Sequence, residues 1–128
     1  MKRLKDQCED IWKEVIKKKA GYKSELSGKE GTQIGGINII CAHHIGGKAN
    51  YRLRFEIDNG ICLTNGEHSF GVHNANNAED YRERIKLVKG RDIYKRMLRL
   101  KREHSKTDLK LVKIYLQKEL KKLQSKNN

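Results

Sequence analysis

The sequence predicts an α+β domain, and three observations predict it. Apolar residues recur at spacings of three and four near the N-terminus, two short β-rich runs occupy the middle, and helical periodicity returns with many basic residues after position 78. At 128 residues the chain suits one domain, residues 1–128, with a modest core.

The elements follow in order. Leu4, Cys8, Ile11, Trp12, Val15 and Ile16 mark an amphipathic helix over 3–19, with Gly21 placed as its C-cap. The polar, glycine-rich run "YKSELSGKEGTQIGG" reads as loop. "INIICAHH" is a strand leading into a histidine pair, and "GICLT" is a second strand. Residues 46–58 form a long connection, with a short extended piece expected at "YRLRFEI". From Asn65 the chain turns into a brief helix carrying His68, broken by "NANNAED". Tyr81, Ile85 and Val88 mark a helix over 79–89 ending at Gly90, and Ile93, Tyr94, Met97 and Leu98 mark another over about 91–103. "SKTD" caps the last helix, whose stripe is Leu109, Val112, Leu116, Leu120 and Leu123; the terminal "SKNN" should fray. That stripe reads as core rather than as a dimer face, because amphipathic helices normally bury their apolar side.

Charge is unevenly spread. Residues 1–30 sum to +3, residues 31–78 to zero and residues 79–128 to +10. A strongly basic C-terminal half favours a polyanionic partner, usually nucleic acid, over an acidic membrane surface. No run of about 20 apolar residues is present to span a bilayer, and the N-terminus turns acidic and amphipathic where a signal peptide needs an unbroken apolar region. An intracellular protein is expected. Cys8, Cys41 and Cys62, an odd number at wide spacings, do not describe a disulfide framework.

Of five histidines, His43, His44, His68 and His73 crowd into the neutral middle, around the turn-prone pair Asn59-Gly60. His104, in a basic helix, reads as a surface residue. Imidazole is the commonest metal ligand, and three protein ligands with an open position make a catalytic rather than a closed structural site. Adjacent residues near a strand end point to opposite sides, so one of His43 and His44 can bind a metal while the other stays free to act as a base. His68 and His73 are five apart, too far for one face of a regular helix, so the expectation is a helix that ends near Gly71 and turns. A structural zinc site, with Cys41 or Cys62 joining the histidines, stands as the competing reading.

The succession His43-His44, Asn59, His68, His73 resembles the HNH motif of the ββα-metal endonucleases, and "HHIGG…FEIDNGICL…HSFGVHN" is closest to small HNH proteins of phages and mobile elements. The likeness covers about residues 37–74. It implies a ββα-metal core over 31–78, with His44 as general base, Asn59 fixing the loop, and His43, His68 and His73 holding one divalent ion. The candidate ions are Mg²⁺, Mn²⁺, Zn²⁺ and Ni²⁺. Three neutral imidazoles favour borderline ions such as Zn²⁺ or Ni²⁺ in affinity and should release metal below about pH 6 as they protonate. The implied activity is DNA hydrolysis to 5′ phosphate and 3′ hydroxyl ends, in the cytoplasm of a bacterial or phage-infected cell. Arg52 and Arg54 can grip phosphates in bidentate fashion, and Arg82, Arg84, Arg91, Arg96 and Arg99 are DNA-binding candidates as a group.

The sequence departs from many such proteins where they carry two zinc knuckles. Ser24 and Ser27 stand in the first and "CLTN" keeps only Cys62 in the second, so no knuckle zinc is expected, with Leu26 and the Trp12 helix packing there instead. Two other functions compete with an endonuclease. One is a non-catalytic nucleic-acid-binding module built on a structural zinc, against which the extra, metal-free His44 argues. The other is a homodimer formed through the C-terminal helix, which is compatible with the first reading.

Overall fold

The N-terminal stripe of Cys8, Glu9, Trp12, Val15 and Ile16 winds onto one face of helix α1 (Leu4–Lys19). In this computed structural model, which describes residues 2–31, 40–104 and 106–126, that face is buried. Lys17, Lys18 and Lys19 in the last turn complement the helix dipole. The helix closes as expected at Gly21, whose N–H bonds the Lys18 carbonyl at 3.0 Å while Tyr22 N–H reaches Lys17 at 2.9 Å, the Schellman pair.

Strands β1 (Ile40–His44) and β2 (Gly60–Thr64) pair antiparallel, with His44 opposite Gly60 and His43 opposite Ile61. The part of the predicted first strand at 37–39 lies outside the described residues. Alternation along the hairpin divides the core. Ile40 and Cys62 pack with Cys8, Trp12 and Ile16 of α1 and with Leu116 of α5 (Leu109–Lys126). Ile61 and Leu63 pack on the other side with Ile85 of α3 (Ala78–Lys89). The hairpin is therefore covered by α1 and α5 on one face and by α3 on the other. A Cβ at Gly60 would come within 2.5 Å of two Ile16 side-chain carbons, so only glycine lets α1 lie this close to the site. Leu109, Val112 and Leu116 of the C-terminal stripe belong to the first cluster, which makes that part of the stripe core. The opposite side of α5 exposes Leu111, Ile114 and Tyr115.

The connection between the strands corrects one expectation. Tyr51–Arg54 is not extended but a short helix, α2. Asn50 explains it, since its Oδ1 accepts from Leu53 N–H at 2.8 Å as an N-cap while its Nδ2 donates to the Leu100 carbonyl at 2.9 Å. One turn of helix also carries Leu53 into a cluster with Met97 and Leu100 of α4 (Arg91–Lys101).

At the place of the first knuckle, the Ser24 hydroxyl accepts from Leu26 and Ser27 N–H, each at 3.1 Å. The loop is tied to β2 by Glu25, whose N–H donates to the Cys62 carbonyl at 2.9 Å and whose Oε2 accepts from Cys62 N–H at 2.7 Å. Burial works to raise the Glu67 carboxyl, but hydrogen bonds from Ser24, Thr64 and Ser27 hold it below its usual range. Leu26 packs on the α3 side of the hairpin, whereas Trp12 packs on the α1 side. Among the described residues, no helix is long and apolar enough to cross a membrane.

Candidate metal centre

His43 leaves β1 on the face turned toward α3, and meets there two histidines delivered by one unusual element. Residues Glu67–Val72 wind as a π-helix, entered through a reciprocal pair in which Thr64 N–H bonds Glu67 Oε1 at 2.9 Å and Glu67 N–H bonds Thr64 Oγ1 at 3.1 Å. The wider turn is closed by His73 N–H to the His68 carbonyl at 3.1 Å, a five-residue step. It therefore carries residues five apart onto one side. The expected helix end and bend at Gly71 is replaced by this winding. Gly71 is needed for packing instead: a Cβ there would lie 2.5–2.6 Å from three carbons of the Tyr81 ring.

The result is a compact triad. The His68 and His73 Nε2 atoms are 2.9 Å apart, and one ring nitrogen of each of His43, His68 and His73 lies within 4.8 Å of the others. Two nitrogens bound to a zinc-like ion at about 2.0–2.1 Å with tetrahedral angles lie roughly 3.3 Å apart. The His68–His73 edge needs to open by only a few tenths of an ångström to suit such an ion, and His43, with a ring nitrogen within 4.8 Å of both, could join them as a third ligand. Burial, reinforced by His68, His73 and His44, pushes His43 down to about 4, and burial and His73 lower His68. Both rings are thereby held neutral, which is the state a metal requires. Burial also pushes the Cys41 thiol up to about 11 and Cys62 to about 12, and among the described residues neither sulfur belongs to the His43–His68–His73 group.

His44 faces the other way, toward α1. Its ring stacks on Trp12 at 4.0 Å with 7° between the planes, and Trp12 is itself anchored by Nε1–H to the Glu56 carbonyl at 3.0 Å. Burial pushes His44 down to about 4, outweighing the opposing Glu9 carboxylate. Asn59, fully buried, fixes the chain that follows. Its Oδ1 accepts from Gly46 N–H at 2.7 Å, its Nδ2 donates to the Gly47 carbonyl at 3.1 Å, and its own carbonyl accepts from Ile45 N–H at 2.7 Å. These bonds clamp residues 45–47, and so the end of β1, to the start of β2.

Although His43 and His44 diverge, both open at the strand end onto one cavity of about 340 Å³, lined also by Glu9, Lys48, His68 and His73. The arrangement brings together three ring nitrogens that could hold a metal ion, a fourth, neutral imidazole, and lysine side chains along the cavity. The arginines fare differently. Arg52, Arg82, Arg91 and Arg99 are exposed, and Arg82 borders a second, smaller cavity that reaches His43 and His44. Arg84 lies over the Tyr81 ring at 4.7 Å. Arg54 is paired with Glu9 at 2.8 Å, and Arg96 with Glu56 and Asp58 at 2.9 and 2.8 Å, so these two are already held by carboxylates. His104 is exposed.

Three charged residues at this cavity were not singled out from the sequence: Glu9, Lys13 and Lys48. Glu9 had left a signal, since it lies three positions before Trp12 and seven before Ile16 on the buried stripe of α1. A carboxylate on an apolar face calls for a buried partner. Compared with protein-family models, curated proteins and solved structures, the chain matches none of them.

Proposed function

We propose that the chain is a metal-dependent endonuclease of the HNH type that hydrolyses DNA phosphodiester bonds. One observation carries the reading: three imidazoles from two separate elements converge with ion-binding spacing on a cavity that also receives a fourth, non-ligating imidazole. A purely structural metal site has no use for the fourth ring. His43, His68 and His73 would hold the ion. Bound there, a divalent ion supplies charge neutralisation at the scissile phosphate and at the leaving 3′ oxygen.

The chain's own residues do the rest. His44, neutral at physiological pH, accepts the proton of the attacking water as its oxygen bonds to phosphorus and the bond to the 3′ oxygen breaks. The departing 3′ oxygen takes its proton from solvent, and the products are a 5′ phosphate and a 3′ hydroxyl. Asn59 keeps His44 in place by clamping the end of its strand. Lys13 and Lys48 at the cavity and the exposed Arg82 meet phosphates, while the exposed basic residues of α3 and α4 hold the flanking backbone without reading sequence.

The test is conversion of supercoiled plasmid to nicked circles with Mg²⁺, Mn²⁺, Zn²⁺, Ni²⁺ or EDTA. Wild type should nick with at least one metal and stop in EDTA. His44→Ala should bind metal and DNA but not cut. Retardation of plasmid by both proteins with no cleavage under any metal would overturn the reading in favour of a non-catalytic binding module.

A further inference from the structure

Glu9 is a buried carboxylate with one oxygen fully engaged and one not. Its side chain is 9% exposed, and its Oε2 accepts from Arg54 Nε–H at 2.8 Å. Oε1 stands 3.5 Å from His44 Nε2, and that nitrogen is buried with no hydrogen-bond partner among the described residues. A buried, unpartnered nitrogen therefore faces a carboxylate oxygen across a gap about half an ångström too long for a hydrogen bond. A carboxylate can only accept, so the bond that closes this gap requires the proton on Nε2. Stacking on Trp12 fixes the plane of the ring, and Arg54 fixes the carboxylate, so both partners are already oriented.

We propose that Glu9 is a positioning residue for His44, holding the imidazole as the Nε2–H tautomer and leaving the Nδ1 lone pair as the base. The role of that lone pair rests on the nuclease reading; the tautomer itself does not. The logic is that of a carboxylate that orients a general-base histidine, here supplied by the N-terminal helix, 35 residues before the histidine it serves and outside the histidine cluster. It gives α1 a part in the chemistry beyond covering the hairpin.

The deciding experiment is long-range ¹H–¹⁵N spectroscopy of the imidazole rings in the full-length, metal-free protein at neutral pH. The His44 signals are assigned by their loss in His44→Gln. Wild type should show His44 protonated at Nε2. In Glu9→Gln, Arg54 claims the amide oxygen and the NH₂ group is turned toward Nε2, so the population should move toward Nδ1–H. Nicking by Glu9→Gln should lose about 10–100-fold in kcat with little change in KM, the usual scale for a group that orients a functional histidine. Arg54→Gln, which keeps Glu9, should retain the Nε2–H form. If Glu9→Gln fails to fold, the spectra of wild type and Arg54→Gln still decide. A wild-type His44 protonated at Nδ1, or a tautomer unmoved by Glu9→Gln, overturns the proposal. Failure to cut DNA with an Nε2–H ring refutes the nuclease reading and leaves the positioning intact. Cutting with an Nδ1–H ring does the reverse.

Discussion

Asn59→Ala tests whether the clamp beneath the site is as strong as its geometry implies. The substitution removes an acceptor 2.7 Å from Gly46 N–H and a donor 3.1 Å from the Gly47 carbonyl, and it empties a side-chain volume that is completely buried. Each lost bond contributes about 1 kcal/mol net, and a stranded buried partner raises the cost to about 1–3 kcal/mol. Gly46 and Gly47 are half-buried, so water can repair part of this and the lower end applies. Adding a modest cavity term gives a loss of about 2–4 kcal/mol. With a urea m-value of about 2 kcal/mol/M for a domain of this size, the unfolding midpoint should fall by about 1–2 M. The assay is urea titration in EDTA without DNA, followed by the fluorescence of Trp12, the only tryptophan. Asn59→Asp keeps the acceptor but sets a carboxylate against the Gly47 carbonyl, so it should also destabilise at pH 7 and recover partly as the carboxyl protonates. A midpoint shift for Asn59→Ala below about 0.3 M, at unchanged m, would refute the clamp.

Three further expectations follow from the same geometry. Gly71→Ala drives a methyl into the Tyr81 ring, so it should cost about 1–3 kcal/mol and weaken metal binding by displacing the His68–His73 pair; adding Tyr81→Leu should recover much of the loss, and strictly additive effects would argue against the contact. Removing one of the three imidazoles as His68→Ala should weaken Zn²⁺ or Ni²⁺ affinity by more than about 100-fold, beyond what loss of an orienting group costs; an unchanged affinity by competition with a chromophoric chelator would show that the ion sits elsewhere. Because His43 and His44 are held near 4 against an ordinary 6.5, the unfolded chain takes up protons that the folded protein refuses, so metal-free stability should be level above about pH 6.5 and fall as pH drops from there toward 4. His44→Gln should flatten that slope between pH 6.5 and 5, and an equally steep slope would remove His44 as its source.

Much of this protein is determined by local pattern. Helices α1, α3, α4 and α5 follow from apolar spacing, and the Schellman close of α1 from Gly21, because periodicity and caps act within a few residues. The divergence of His43 and His44 is likewise a consequence of neighbouring positions on a strand. Tertiary structure decided the rest. The run 51–57 has strand-like composition, yet Asn50 bonded to the end of α4 and Leu53 buried against Met97 select a turn of helix. The five-residue spacing of His68 and His73 is resolved by a π-helix, in which Gly71 leaves room for the Tyr81 ring packed against it. Arg54 and Arg96 look like free phosphate ligands until Glu9, Glu56 and Asp58 claim them. Glu9 and Arg54 are 45 positions apart, and Arg96 and Asp58 are 38. No short-range periodicity encodes such pairings; they exist only once the helices have packed on the hairpin and brought these charges within reach of one another.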